Sequence, residues 1–225
     1  MHKKEICSYY DGLAANYDES RFGNSYGQYI HLQESSVLKK LLPAGEGKQI
    51  LDFGCGTGRM MAFATHGMDP SPNMINEAQA KFPRKIFVKG DRISDTQQAN
   101  SLDAIFSFHV LMHLEQEDLS RLINDARTAL KPGGKLIFDI PSQKRRKLVN
   151  YQAEGWHGAN SFTLQQVKDT AGNDWKVDSV QGLLFFPIHR IPSKARKPLI
   201  FLDNLLCKSL VKEFASYLLV SLEKK

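Results

Sequence analysis

ILDFGCGTGR, the stretch at residues 50–59, decides the fold of this 225-residue chain. Its first four positions are apolar apart from Asp52, a pattern typical of a buried strand that ends beside a carboxylate. Glycines then alternate with other residues, and glycine allows positive φ angles and a close approach of a ligand to the backbone. The apolar run at 60–64 predicts the start of a helix, whose free N–H groups and partial positive charge would face the turn. Strand, glycine turn and helix together predict a nucleotide-cofactor site.

The spacing of the three glycines distinguishes this turn from other phosphate-binding loops. A dinucleotide fingerprint reads G-x-G-x-x-G and a P-loop needs Lys followed by Ser or Thr, whereas this chain has G-x-G-x-G without that pair. The string from Asp52 to Arg59 resembles the first motif of the class I S-adenosylmethionine-dependent methyltransferases. A plain glycine turn in an α/β protein is the alternative.

The resemblance implies a Rossmann-like α/β fold, with a seven-stranded sheet of six parallel strands and an antiparallel last strand, and with helices on both faces. It implies S-adenosylmethionine as the cofactor and S-adenosylhomocysteine as the product. It also implies one methyltransferase domain over residues 1–225, in which residues 1–45 form a helical lid and an insertion at 187–211 shapes the acceptor pocket. Strands separated by helical stretches agree with a parallel sheet. The Pro-Gly-Gly turn at 132–134 also resembles the family, in which such a turn precedes the fifth strand.

Two acidic motifs follow the glycine turn in the order that the resemblance implies. The string HGMDPSPNM at 66–74 resembles the second motif, in which Asp69 accepts hydrogen bonds from the ribose hydroxyls. The string GDRI at 90–93 resembles the third, in which Asp91 contacts the adenine amino group, although Gly-Asp is also an ordinary turn. Only ten residues separate Gly58 from Asp69, which predicts a short intervening helix and a short second strand.

The N-terminal string YYDGLAANYD at 9–18 resembles the N-terminal helix of small-molecule methyltransferases related to the quinone-biosynthesis enzymes. That likeness places Tyr17 and Arg21 near the methionine end of the cofactor, where Arg21 pairs with its carboxylate. Packing of the tyrosines onto the domain is the alternative, because aromatic side chains bury on packing grounds alone. The full set of cofactor-binding residues implied by the resemblance is Tyr17, Arg21, Asp52, Gly54, Cys55, Gly56, Asp69, Pro70, Met74, Asp91, Arg92, Ile93, Phe108 and His109.

Two histidines follow the predicted fourth strand at 102–108, at the sheet edge where ligands bind in open α/β sheets. Histidine is the usual general base near neutral pH, so His113 is the first candidate and His109 the second. Anchoring of the loop by His113 is the alternative. The pair has Val-Leu-Met between its members and lacks a third ligand, so we predict no metal site.

Charge and composition bear on partners. The net charge of +6 is concentrated in residues 143–225, which carry 14 Lys and Arg against 7 Asp and Glu. This balance favours an acidic small molecule, RNA or a membrane surface, and a solvated basic face is the alternative. The insertion at 187–211 carries both basic and apolar residues, which leaves open a lipophilic acceptor, peripheral contact with a membrane, a partner, or packing on the domain.

The leading functional hypothesis is methyl transfer to a small-molecule acceptor that is anionic or partly apolar. The alternatives are an RNA methyltransferase, for tRNA or rRNA, and a non-catalytic cofactor-binding or scaffold protein on the same fold. Three dispersed cysteines without metal or redox spacing indicate a reducing compartment. With no apolar N-terminal run and no apolar stretch long enough to span a bilayer, we expect a cytoplasmic protein.

Overall fold

Seven strands form one sheet in the structure, a computed structural model that describes residues 2–225. The order across the sheet is β3-β2-β1-β4-β5-β7-β6, and β7 runs antiparallel to both of its neighbours while the other pairs are parallel. The predicted methyltransferase-type sheet is therefore confirmed. The strands are β1 (Ile50–Phe53), β2 (His66–Asp69), β3 (Ile86–Lys89), β4 (Leu102–Ser107), β5 (Leu130–Pro141), β6 (Trp175–Leu183) and β7 (Tyr217–Lys224).

Helices cover both faces of the sheet because the strands are apolar on both faces. On one face Leu51, Ile105 and Phe138 pack against the buried side of α5 and α7. On the other face Ile50 and Phe106 pack against α3. The helices are α1 (His2–Leu13), α2 (Tyr17–Phe22), α3 (Ser25–Leu41), α4 (Pro72–Lys81), α5 (Gln116–Ala129), α6 (Gln143–Leu148), α7 (Leu164–Ala171) and α8 (Ser193–Lys208).

The helix predicted after the glycine turn is absent, and that prediction is wrong. Residues 61–63 form only one 3-10 turn. The short link explains this, because the Thr65 hydroxyl accepts the Ile50 N–H at 2.8 Å and the Thr65 N–H donates to the Ile50 carbonyl. The chain is thereby drawn back beside β1 before an α-helix can form. The second strand is short, with four residues, as predicted.

The structure also fixes the form of three other segments. Helix α7 is capped by Thr163, whose hydroxyl accepts the Gln166 N–H at 3.1 Å. Strand β5 begins at Leu130, and residues 131–134 bulge out of its pairing with β4 instead of forming a separate turn. Most of the predicted insertion at 187–211 is helix α8, and no helix within residues 2–225 has the length and hydropathy needed to cross a bilayer.

Candidate functional site

A cavity of about 310 Å³ lies at the carboxyl ends of β1, β2 and β4. This is the sheet edge at which ligands bind in open parallel α/β folds. The glycine turn and the end of β2 form its floor, the loop after β4 forms one wall, and α1 covers it. Its volume is in the range of small-molecule sites.

The glycine turn is held by backbone hydrogen bonds to β2. The N–H groups of Gly54 and Cys55 both donate to the Met68 carbonyl, at 2.8 and 2.9 Å. Gly54 has φ +77°, and a Cβ at this position would lie 2.2 Å from Cγ2 of Val110. Only glycine therefore lets the turn pack against the loop that carries His109.

Replacing Gly54 by alanine is expected to lower the free energy of unfolding by about 3 kcal/mol or more, because a left-handed φ penalty is added to a steric clash with Val110. Gly47→Ala is the matched control. Gly47 has φ +73°, but a Cβ added there would meet no atom within 4 Å, so the φ penalty of about 1 to 2 kcal/mol should stand alone. Urea unfolding of both variants measures the difference, and equal losses would show that the clash is relieved.

The carboxylate of Asp69 links the glycine turn to the start of α4. Its Oδ2 accepts the Gly56 N–H and its Oδ1 accepts the Ser71 N–H, both at 2.9 Å. Burial raises the pKa of Asp69, and these two backbone donors oppose that rise. Asp91 also lines the cavity but is exposed. The two predicted acidic motifs thus meet at one cavity, each with a carboxylate.

The N-terminal segment (residues 2–22) is tied across the cavity at three points. The Asp11 carboxylate accepts the Ser71 hydroxyl at 2.6 Å and the Asn73 N–H at 3.0 Å. The Asp18 carboxylate accepts the Thr57 hydroxyl at 2.5 Å. Lys3 forms an ion pair of 2.5 Å with Asp118 of α5. These contacts hold α1 over the glycine turn and over the end of β2.

An aromatic group forms the wall opposite Asp69. The Tyr10 hydroxyl lies 2.8 Å from Nε2 of His113, and the rings of Tyr10 and Trp156 also pack against the His113 ring. The Gly158 N–H donates to Nδ1 of His113 at 3.3 Å. Burial lowers the pKa of His113 to about 4, and the nearby His157 and His109 contribute to that lowering. Both ring nitrogens of His113 therefore already have partners inside the protein.

A buried ionic cluster stands behind the cavity. Glu34 of α3 is 1% exposed, and its two carboxylate oxygens lie 2.7 Å from Nε2 of His109 and 2.7 Å from Nη1 of Arg59. The His109 backbone N–H donates to Asp139 at 2.7 Å, and His109 has φ +60°. Burial alone would raise the pKa of Glu34, but the charges of His109 and Arg59 hold it down at about 2. We call Glu34, Arg59, His109 and Asp139 the Glu34 cluster.

The two histidines of the loop are expected to titrate on opposite sides of 6.5. Burial lowers the pKa of His109, but Glu34 and Asp139 outweigh that effect and raise it. His113 should instead stay neutral until about pH 4. The charged form of His109 therefore stabilises the folded state below pH 6.5, and this contribution is lost as the pH rises through its folded pKa. His113 has the opposite effect: because it resists protonation, the folded state loses stability as the pH falls below 6.5. Imidazole NMR titration measures both values in one sample, and two titrations near 6.5 would contradict the expectation.

The predicted cofactor residues divide into those that line the cavity and those that do not. The cavity is lined by Tyr17, Gly54, Gly56, Asp69, Pro70, Met74, Asp91, Phe108 and His109, together with His113. Five others lie outside its lining. Asp52 and Cys55 are buried beneath the turn, Ile93 is in the core under α5, Arg92 pairs with Asp125 at 3.1 Å, and the exposed Arg21 donates to the Tyr9 hydroxyl at 3.3 Å.

Several site residues were missed by sequence reasoning although the sequence contains a signal for some of them. Asp11 and Asp18 are part of the tyrosine-rich string at 9–18, where only the aromatic residues were given a role. Glu34 occupies a position on the apolar face of α3, three residues before Val37, and a charge there indicates a buried partner. Within residues 2–225, no group of three or more His, Cys, Asp or Glu side chains is placed to hold a metal ion.

Comparisons with known sequences agree with this geometry. A family model described as a methyltransferase domain matches residues 51–138. An uncharacterized methyltransferase of Bacillus pumilus (strain SAFR-032) is 28% identical over 141 residues, which are 60% of this chain and 66% of that protein. The match spans between about a quarter and two thirds of the length of these curated relatives.

Solved structures share the fold over nearly the whole chain. A methyltransferase from Thermotoga maritima, described as a possible histamine N-methyltransferase, has a TM-score of 0.72 at 18% identity and covers 98% of this chain and 100% of its own. Magnesium protoporphyrin IX methyltransferase from Synechocystis PCC 6803, with bound S-adenosylmethionine, has a TM-score of 0.68 at 16% identity and covers 100% and 98%. In its sheet order, its glycine turn and the sequence of residues 51–138, the chain is similar to class I S-adenosylmethionine-dependent methyltransferases.

Proposed function

We propose that this chain transfers the methyl group of S-adenosylmethionine to a small-molecule acceptor inside the cavity beneath α1. The observation that carries the proposal is the mixed lining of that cavity. Acidic groups and the glycine turn line it together with the hydrogen-bonded Tyr10–His113 pair. When bound, the cofactor supplies an electrophilic methyl group on a sulfonium, and transfer is an in-line displacement in which positioning supplies much of the rate.

The residues present fit that cofactor. Each carboxylate oxygen of Asp69 accepts one backbone N–H and keeps a lone pair for a ribose hydroxyl. A Cβ on Gly56 would lie 3.9 Å from the sulfur of Met74, so its absence leaves room for a ligand over the turn. In this proposal Asp69 holds the ribose, Asp91 and Met74 contact the adenine, and the backbone at 54–56 with Tyr17 receives the methionine part.

Tyr10 is the group best placed to touch the acceptor. The Gly158 N–H occupies Nδ1 of His113, so a neutral His113 carries its proton on Nε2 and donates it to the Tyr10 oxygen. The Tyr10 O–H then remains free to bond an acceptor atom in the cavity. His113 acts in this arrangement as a positioning residue for Tyr10, which modifies the direct base role expected from the sequence.

The lining also favours an acceptor with both apolar and anionic parts. Ile6, Phe108 and Leu114 give the cavity apolar walls, and Lys4 of α1 brings a cation to its rim. Helix α1 covers the site, so a base of a nucleic acid would have to flip out of its stack to reach the cavity. A small acceptor needs no such rearrangement. Among the basic residues at 144–147, Arg146 is engaged inside the domain, where it donates to the Asn160 carbonyl at 2.7 Å.

The test uses cofactor bearing a labelled methyl group. The protein is incubated with it and with a cell extract that is then separated into small molecules, lipids, RNA and protein. We expect label in the small-molecule or lipid fraction, and calorimetric binding of S-adenosylhomocysteine. Label confined to RNA would establish the RNA alternative instead. Cofactor binding without any labelled product would favour the scaffold alternative. Calorimetry that shows no binding of S-adenosylmethionine or S-adenosylhomocysteine would overturn the proposal.

A further inference from the structure

Helix α8 exposes one continuous stripe of side chains on the side away from the domain. Phe201 is 78% exposed and Leu205 57% exposed, and Leu202 beside them is also exposed. Beyond the first turn at 193–195, which is exposed throughout, exposed residues recur along the helix at positions 197, 198, 201, 202, 205 and 208. These intervals of three and four residues place all of them on one face of an α-helix. Single exposed apolar residues need no explanation, but a stripe of them on one helix indicates a binding surface.

The opposite side of α8 is anchored, so the stripe cannot turn inward. Asp203 and Cys207 are fully buried. The Asp203 carboxylate accepts the Gln33 side-chain amide at 2.6 Å and the Phe186 N–H at 2.8 Å, which ties α8 to α3 and to the chain after β6. The apolar stripe is therefore presented outward by buried polar contacts on the other side of the same helix.

The charges around the stripe are of one sign. Lys194 and Lys197 stand at its N-terminal end and Lys208 at its C-terminal end, all exposed. The only acidic residue of α8 is the buried Asp203. Apolar side chains flanked by lysines suit a bilayer interface, because the lysine stems lie along the acyl boundary while their ammonium groups reach the lipid phosphates.

The segments next to α8 also expose apolar and basic side chains. Directly after α8, Leu210 is fully exposed. The turn at 212–214 contacts both α8 and α6, and Lys144 of α6 pairs with Glu213 at 2.9 Å. Helix α6 adds the exposed Lys147, followed by the exposed Leu148 and Val149. Basic and apolar residues thus occur together on neighbouring segments as well as on α8 itself.

We propose that the outward face of α8, with Leu210, docks the protein on a membrane surface that carries anionic lipids. Charge complementarity selects this occupant over a neutral bilayer or an uncharged apolar partner, since each basic residue near an anionic leaflet adds about a five-fold factor in binding. The chain that leads into α8 leaves the sheet at the same edge as the cavity. Strand β6 ends at Leu183 opposite Tyr217, and the ring of Tyr217 lies 5.5 Å from that of His109.

Vesicle cosedimentation tests the proposal without any cofactor, so its outcome is independent of methyl transfer. The wild-type protein should bind vesicles of mixed phosphatidylcholine and phosphatidylglycerol and bind phosphatidylcholine vesicles much more weakly, with loss of binding at high salt. The double variant Phe201→Gln/Leu205→Gln should bind mixed vesicles at least about ten-fold more weakly. Lys194→Gln/Lys197→Gln should bind about 25-fold more weakly and retain the apolar contribution.

Ile86→Gln is the matched control, because Ile86 on edge strand β3 is 55% exposed but lies outside this face. It should bind like the wild type, and urea unfolding should show that every variant is folded. Wild-type protein that stays in the supernatant, or a double variant that binds as well as the control, would overturn the proposal. So would self-association that depends on Phe201 in light scattering without vesicle binding, since the face would then join copies of this chain.

Discussion

Replacing Glu34 by glutamine is expected to lower the free energy of unfolding by about 3 to 5 kcal/mol. Glutamine keeps the volume of the side chain but removes the charge that lies between Arg59 and His109, each 2.7 Å away. Arg59 then loses its buried carboxylate partner, and His109 keeps only Asp139, whose Oδ2 lies 3.5 Å from Nδ1. Urea unfolding followed by circular dichroism measures the loss.

The control for this variant removes an ion pair of similar length at the surface. Asp174 lies 2.8 Å from Arg127, and both side chains are about half exposed or more. Asp174→Asn should therefore cost within about 1 kcal/mol, as solvent-exposed pairs do. A loss in Glu34→Gln no larger than that in Asp174→Asn would mean that water or a shifted Arg59 compensates the cluster.

The same cluster gives the protein an acid-dependent component of stability. Because the folded pKa of Glu34 is near 2 while an unperturbed glutamate titrates at 4.5, its contribution is complete above pH 4.5 and is lost as the pH falls toward 2. The stability of Glu34→Gln should accordingly decline less steeply than that of the wild type over this interval. Parallel curves would show that other carboxylates control acid unfolding.

Sequence reasoning predicted those parts of the fold whose signals are local. The strand and the glycine turn at 50–58, the short second strand and the fourth strand are each encoded by a continuous pattern of apolar residues and turn residues. The order of acidic motifs after the turn then indicated which edge of the sheet carries the site. Asp69 and Asp91 stay predicted cofactor residues, and both line the cavity because each lies at or just after the end of a parallel strand.

The remaining parts of the fold and of the candidate site depend on contacts between residues far apart in the chain. The Glu34 cluster joins residues of α3, the glycine turn, the loop after β4 and the end of β5, and no local pattern shows that these four side chains meet. The missing helix after the glycine turn has a similar origin. Its apolar run at 60–64 is compatible with a helix, but the Thr65 bonds to Ile50 end it after one turn. Arg92 pairs with Asp125, which comes from a helix 33 residues later, and no local pattern indicates that contact.

Asp69→Asn is expected to weaken S-adenosylhomocysteine binding by about 100-fold or more, close to 3 kcal/mol, because hydrogen bonds from hydroxyls to a charged acceptor contribute about 1.5 to 3 kcal/mol each. The asparagine amide also turns an N–H group toward one of the two backbone donors, Gly56 or Ser71, which the carboxylate now satisfies together. Isothermal titration calorimetry with S-adenosylhomocysteine measures the loss. Asp91→Asn is the matched control, since Asp91 lines the same cavity but is exposed, and its variant should lose about ten-fold or less.

Stability measurements separate a binding role of Asp69 from a purely structural one. Burial raises the pKa of this carboxyl, so its ionised form is unfavourable in the folded protein, and a neutral asparagine relieves part of that cost while it disturbs one backbone hydrogen bond. The free energy of unfolding should therefore change by only about 1 to 2 kcal/mol while affinity falls much further. Because protonation removes an acceptor, wild-type affinity should also decline as the pH falls toward the raised pKa, and Asp69→Asn should lack that decline. If Asp69→Asn binds as tightly as the wild type and Asp91→Asn does not, the ribose is held by Asp91 and the orientation of the cofactor in the cavity must be reversed.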